Sequence, residues 1–259
     1  MGEAMLTAAI VIAALMVGTW LLSLLLRNAS IVDIVWGLGF VVVAWSVRLT
    51  AEGDTARQNL ITILVTVWGL RLAGYLARRN IGHGEDFRYV LMRRKHGARF
   101  PVVSLVTVFL FQGVMMWIVS LPVQLGQAEA GVSVGPIAVM GLMAWIVGFV
   151  FESVGDAQLA RFKKDPANAG KVMDKGLWGL TRHPNYFGDA VQWWGIGLIA
   201  AEAGTAAIGL VGPALMTFLL MRVSGVPMLE HSMAKRRPGY VEYVKRTSAF
   251  FPRPPRRAA

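Results

Sequence analysis

Residues 4–26 read AMLTAAIVIAALMVGTWLLSLLL, without one charged side chain. A bilayer's hydrocarbon core takes about 20 such residues wound as a helix. The apolar stretch is too long for a secretory leader. It is preceded by Glu3 rather than Lys or Arg, and no convincing cleavage site follows, so it reads as a retained span. Working outward, comparable runs recur at about 31–50, 59–77, 101–124, 133–153, 186–201 and 204–225. The expectation is an all-α integral membrane protein, one domain over 1–259 with seven transmembrane helices.

Composition agrees. Of 259 residues, 55% are hydrophobic and only 16% charged, with a mean hydropathy of +0.53, against roughly 25% charged in soluble domains. Disorder and collagen-like repeats are excluded. The chain has no Cys, which removes disulfides, thiol chemistry and Cys-based metal sites.

The net charge of +11 is unevenly distributed. The loop after the third run holds Arg78, Arg79, Arg88, Arg93, Arg94, Lys95 and Arg99. The loop after the fifth holds Arg161, Lys163, Lys164, Lys171, Lys175 and Arg182. The tail holds Lys235, Arg236, Arg237, Lys245, Arg246, Arg253, Arg256 and Arg257. The fourth and sixth loops offer only Glu129 and Glu202. Cations cluster on the cytoplasmic side of membrane proteins. The pattern therefore predicts an N-terminus outside and a cytoplasmic C-terminus, and accounts for the basic excess without a nucleic-acid partner.

Ionisable residues inside spans are costly and point to cavities or partners. Asp33 lies in SIVDIVWGLGF (30–40), Arg71 in the third run, Glu152 and Asp156 at the end of the fifth, and Asp189 in the sixth. The plain alternative is structural pairing near helix ends. The second and third helices both approach the cytoplasm at those points, which would let Asp33 and Arg71 face one chamber.

A denser signal runs through FESVGDAQLARFKKDPANAGKVMDKGLWGLTRHPNYFGDAVQWWG, residues 151–195. It gathers Asp156, Lys163, Lys171, Arg182, His183, Asn185, Tyr186 and Asp189. Lys and Arg suit phosphates. Pro184 suits a helix start whose free N–H groups attract anions. Asn, Asp and Tyr suit ribose hydroxyls and amides. Lys164 and Lys175 are adequately explained by topology, and His96 and His231 by ordinary structural roles. H-E-x-x-H, Walker A and strand-linked G-x-G-x-x-G patterns are absent, so no metal site is predicted and any nucleotide would be held by helices and loops. A second cluster, RRNIGHGEDFRY (78–89), sets Glu85, Asp86, Arg88 and Tyr89 beside Gly82 and Gly84 and reads as a lid or rim. Glu230, Tyr240 and Tyr243 precede KRTSAFFPRPP (245–255), which reads as a closing segment.

Five stretches resemble the membrane steroid 5-alpha-reductase family, in its branch of short bacterial homologues. They are IVDIVWGLGF (31–40), WGLRLAGYLARRNIGHGEDFRY (68–89), the segment 151–189, SGVPMLE (224–230) and GYVEYVKRTSAFFP (239–252). The resemblance implies a seven-helix fold in a bacterial inner membrane. It implies NADPH as cofactor, held mostly by about 133–252, and a lipid-like enone entering from the bilayer, foremost the delta-4 double bond of a 3-oxo steroid. Carried over by position, Asp156, Lys163, Lys171, Asn185 and Asp189 fall where the family binds the nucleotide, and Arg71 matches a cofactor-side arginine. Asp33 falls where the steroid enzymes place a catalytic Glu. The sequence departs from them at Val32, where they have Gln, and at Trp68, where they have a catalytic Tyr. Tyr89, then Tyr75, are the substitute proton donors.

The expected catalytic residues are thus Asp33, Tyr89 and Glu85. Trp36, Trp68 and Tyr75 would line the substrate, while Arg88, Arg182, His183, Tyr186, Glu230, Tyr240 and Tyr243 complete the cofactor set. Nothing in the sequence requires more than a monomer. The motifs RHP-x-Y (182–186) and Y-x-x-Y-x-x-R-T (240–247) also resemble isoprenylcysteine carboxyl methyltransferases, which bind S-adenosylmethionine. A transporter or receptor-like protein is the non-enzymatic alternative; no inverted repeat supports it.

Overall fold

A computed structural model describes residues 1–131, 133–223, 230, 233, 237 and 239–255, without the side chains of 205–207. The stretch 224–229, the end of the seventh expected span within it, and His231, Lys235, Arg236, Arg256 and Arg257 lie outside the described residues.

The described residues are helical apart from loops and one isolated bridge, Thr181 to Ser248. Five helices are long and apolar enough to cross a membrane. The first three are α1 (Gly2–Leu25), α2 (Ile31–Thr50) and α3 (Thr55–Asn80). The fourth is composite, Phe87–Val119. It strings together α4 (Phe87–His96), a tight turn, α5 (Phe100–Ser104), a wider π-type turn (Leu105–Leu110) and α6 (Phe111–Val119). A short α7 (Leu121–Ala128) follows, and the fifth long helix is α8 (Pro136–Lys164). Beyond it lie α9 (Leu177–Leu180), α10 (Pro184–Ala201), α11 (Val211–Phe218) and α12 (Tyr240–Arg246).

Several boundaries differ from the sequence reading, for local reasons. The expected run 101–124 breaks at Ser120, because Pro122 sits in the first turn of α7 and cannot donate to a preceding carbonyl. Part of the basic loop after α3 is helix: Asp86 caps α4 by accepting from the Arg88 N–H at 2.9 Å. α8 runs eleven residues past its expected end at 153, through Lys164, because no proline interrupts it before Asp165–Pro166. α10 covers the sixth expected run. The seventh falls on a shorter apolar helix, Ile208–Val223.

The chain divides into two compact units. In the first (1–138 and 196–212), α2 and α3 touch backbone to backbone. A Cβ on Gly37 would come 2.6 Å from the Gly69 carbonyl oxygen. Small residues at such crossings are what membrane helices need to approach closely. Phe40, Val43 and Val47 of α2 are buried, as are Ile61, Val65 and Trp68 of α3. Leu6, Ile10, Leu25, Leu49 and Ile63 remain exposed, as a lipid-facing exterior requires. Arg57, which the sequence reading missed because it precedes the third apolar run, is fully buried. It donates from Nε to the Gly126 carbonyl at 2.8 Å and from a terminal nitrogen to the Glu129 carbonyl, tying α3 to α7.

In the second unit (139–195 and 213–259), α8 and α10 run antiparallel along a row of glycines spaced seven apart. Gly148 meets Gly188, with 2.5 Å from a Cβ on either to the other's carbonyl oxygen. Gly195 meets Gly141 at 2.6 Å, and Gly155 meets Pro184 at 3.2 Å. This close approach brings the polar residues of both helices together.

Candidate functional site

In the first unit, α4 presents two adjacent side chains to Asp33 on the first turn of α2. Tyr89 donates its hydroxyl hydrogen to Asp33 Oδ1 at 3.2 Å, and Arg88 donates to Oδ2 at 2.9 Å. The Arg88 guanidinium also bonds Asp86, with Nε to Oδ1 at 2.9 Å, and lies 5.3 Å from the Tyr89 ring centroid. Asp33 is 17% exposed at its side chain and Arg88 37%, so the group is reachable rather than sealed. A carboxylate holding a phenol and a guanidinium can orient a proton donor toward an incoming oxygen.

The surrounding loop fixes α4 against the start of α2. Ser30 Oγ accepts from the Asp86 N–H at 2.6 Å, and Asn28 Oδ1 accepts from the Ser30 N–H at 2.9 Å. Glu85 Oε1 accepts from the Ala29 N–H at 2.8 Å and from Arg93 Nη2 at 2.8 Å, and Oε2 accepts from Arg93 Nε at 3.1 Å. Its two oxygens are thereby engaged in bracing. Arg93 in turn stacks over Phe100, 4.0 Å from its centroid. These braces were not legible in sequence; the Asp86 cap two residues before Arg88 was the available signal.

Three aromatic rings continue inward from Asp33. Trp36 meets Phe40 edge-on at 5.2 Å, and Phe40 meets Trp68 at 5.4 Å. Trp36 is half-buried, and Trp68 is fully buried. Arg71 lies 5.7 Å over the Tyr75 ring, one helical turn away on α3.

The second unit collects the remaining expected residues in two groups. In one, Glu152, Asp156 and Asp189 are all buried between α8 and α10. Asn185 donates to Asp156 at 3.1 Å and Gln192 donates to Glu152 at 2.6 Å. Gln192 is a polar member that sequence reasoning missed; its spacing of seven from Asn185 was the available signal. Lys163 is the penultimate residue of α8, and Lys171 lies in the loop beyond.

The other group is a latch. Arg182 donates through Nε and Nη2 to the two oxygens of Glu230, at 2.7 and 3.2 Å. Its remaining nitrogen donates to the Thr247 carbonyl at 2.8 Å and the Val244 carbonyl at 3.1 Å. His183 Nε2 lies 3.1 Å from Glu230, and its ring stacks on Tyr186 at 5.5 Å. Tyr240 and Tyr243 are buried, and Tyr243 donates to the Trp178 carbonyl at 2.5 Å. Backbone bonds from Arg182 to Ser248 and from Arg253 to Leu180 complete the docking of the tail. Arg182 is thus occupied within the protein, holding Glu230 and the tail.

Burial pushes the Glu230 carboxyl up, but the hydrogen bonds from His183 and Arg182 and the Arg182 charge outweigh it and hold the group below the usual carboxylate range. Burial, aided by the Glu230 charge, pushes the Tyr240 phenol up to about 12. Burial likewise raises Tyr243.

Among the described residues, no group of three His, Asp or Glu could hold a metal ion. The donor set does fit a dinucleotide. Asn185 and the buried Asp156 and Asp189 suit hydroxyls and a carboxamide, while Lys163 and Lys171 suit phosphates.

All-helical units with long apolar spans and buried polar sites define a multi-span membrane protein. Residues 19–247 match the family described as "Protein of unknown function (DUF1295)", and the chain belongs to that family. It is 35% identical over 103 residues to a probable O-methyltransferase of Ustilaginoidea virens, covering 39% of this chain and 34% of that protein. It is 38% identical over 58 residues to a steroid 5-alpha-reductase of Arabidopsis thaliana, covering 22% of each. It is 30% identical over 121 residues to a delta(14)-sterol reductase of Gibberella zeae, covering 39% of this chain and 24% of that one. The chain therefore spans about a third of the methyltransferase's length and about a quarter of each reductase's. No solved structure matches it.

Proposed function

We propose that the protein is an NADPH-dependent membrane reductase of a conjugated enone in a lipid-like substrate, foremost a 3-oxo-delta-4 steroid. It crosses the inner membrane seven times, N-terminus outside and C-terminus cytoplasmic, in keeping with the alternating loop charges. The observation that carries the reading is the hydrogen-bonded pair of Asp33 and Tyr89 on membrane helices, backed by Arg88. Similarity to two reductases of sterol-type substrates supports it.

Asp156, Asn185, Asp189, Lys163 and Lys171 would hold the dinucleotide. When bound, the nicotinamide supplies a hydride to the β-carbon of the enone. The carbonyl oxygen gains negative charge as that carbon becomes saturated, and Tyr89 donates its proton there. Asp33 orients the phenol until the carbonyl oxygen takes its hydrogen, and Arg88 holds Asp33 in place. The enol then loses its O–H proton to water and gains one at the α-carbon, and water restores the proton to Tyr89, so one hydride and one proton enter the saturated ketone. Trp36 and Tyr75 face the substrate, Trp68 backs the wall, and Glu85 braces α4.

The test is purified protein in detergent with NADPH and progesterone. The expected result is NADPH oxidation with a 5-alpha-reduced product. Failure to bind NADPH overturns the reductase reading; oxidation with a different enone only moves the substrate. The match to a methyltransferase favours a second reading, an S-adenosylmethionine-dependent membrane methyltransferase. A ligand of the native state raises apparent stability. S-adenosylmethionine raising the melting temperature where NADPH does not would select it.

A further inference from the structure

A cavity of about 560 Å³ opens at the end of α8, between that helix and the loop 165–175. Its size lies within the range of about 300–1,000 Å³ typical of small-molecule sites. Two acids and three cations line it. The acids are committed elsewhere. Asp165 accepts from the Ala167 N–H at 2.9 Å and from Asn168 at 3.3 Å, which shapes the turn. Asp174 is paired with Arg246. The cations Arg161, Lys171 and Lys175 are exposed, and among the described residues none of the three has a side-chain ion pair or hydrogen bond. Arg237 donates to the Lys171 carbonyl at 3.0 Å, adding positive charge to the rim. Phe162, half-buried, gives the wall one flat apolar surface. Such a site recognises a compact multivalent anion beside an apolar body.

We infer that this cavity binds a phosphate monoester through Arg161, Lys171 and Lys175. A monoester carries close to two negative charges near neutral pH, and a guanidinium with two ammonium groups matches it as a fork and two point charges. On the dinucleotide reading, on which this rests, the monoester is the 2′-phosphate of NADPH, and the cavity selects NADPH over NADH. The same chemistry is carried by the headgroup of phosphatidic acid.

The experiment compares wild type with Arg161→Gln/Lys175→Gln, two substitutions at exposed positions. Ligands are NADPH, NADH and 2′,5′-ADP, plus phosphatidic acid against phosphatidylcholine in nanodiscs. Unliganded melting temperatures control for folding, and Arg161→Lys/Lys175→Arg, which keeps the charge, is the rescue. The expected result is an NADPH affinity in wild type about tenfold or more above NADH. That preference and 2′,5′-ADP binding disappear in the double variant and return in the rescue, with NADH binding unchanged. An unchanged NADPH-to-NADH ratio in a folded double variant overturns the inference while leaving the reductase reading intact. If neither nucleotide binds wild type, the reductase reading fails. The phosphate-monoester site then stands only if phosphatidic acid stabilises wild type and the rescue but not the double variant; equal behaviour of all three overturns it.

Discussion

Tyr89 donates its phenolic hydrogen to Asp33 across 3.2 Å, bridging the first turns of α4 and α2. Fifty-six residues separate them in sequence. Removing either partner tests whether the contact is chemical or merely structural. Tyr89→Phe and Asp33→Asn should each lower turnover by about 100-fold or more, the usual weight of a positioned acid, while leaving the NADPH dissociation constant within a few-fold. A parallel loss of cofactor binding and melting temperature would assign the pair to folding instead.

The Arg182 latch makes a different prediction. Arg182→Met leaves Glu230 partly buried without its cation, and breaking such a pair costs about 3 kcal/mol or more. Hydrogen exchange should quicken in 240–253, the segment Arg182 and its neighbours hold. Nucleotide affinity should fall as a consequence. Loss of affinity with unchanged exchange would place Arg182 on the ligand itself.

Stability toward acid should follow Glu230. Its folded pKa lies below the ordinary value of 4.5, so the native state binds fewer protons there than the unfolded chain. The stabilisation is complete above pH 4.5 and is lost as pH falls through the depressed value. Melting temperatures from pH 6 to 3 should therefore drop more steeply in wild type than in Glu230→Gln. Tyr240 works in the opposite direction: its contribution is intact below pH 10 and fades as pH rises toward 12. Equal acid slopes in the two proteins would remove Glu230 from the account.

Glycine substitutions separate crossings from lipid faces. Gly148→Ala forces a methyl to 2.5 Å from the Gly188 carbonyl, and overpacking of this kind costs about 1–3 kcal/mol. Gly18→Ala meets nothing within 4 Å and, being mid-helix, should be neutral or stabilising by up to about 1 kcal/mol. Thermal unfolding of both variants in one detergent reads the contrast.

How much of this was legible in the sequence differs by element. The first three apolar runs mark α1 to α3 closely, because a hydrocarbon solvent imposes a length and excludes charge over it. The end of α8 was missed because its last turns carry Asp156, Arg161 and Lys163, and a hydropathy pattern stops where charge begins although helical hydrogen bonds do not. Asp33, Arg88 and Tyr89 were each singled out from their types and neighbours. Their meeting was not, since contacts across a turn depend on how Asn28, Ser30, Asp86 and Glu85 pin the loop.

By itself, then, the amino-acid order determined that this is a basic, multi-span helical membrane protein with polar residues at chosen points of its helices. Bilayer thickness and charge cost are properties of short stretches read one at a time. Only the tertiary structure decided that Tyr89 reaches Asp33, that Arg182 is spent on Glu230 and the tail, and that Arg161, Lys171 and Lys175 share a cavity. Each of those depends on where distant backbones approach, and that is set by side-chain packing and capping bonds that no local pattern encodes.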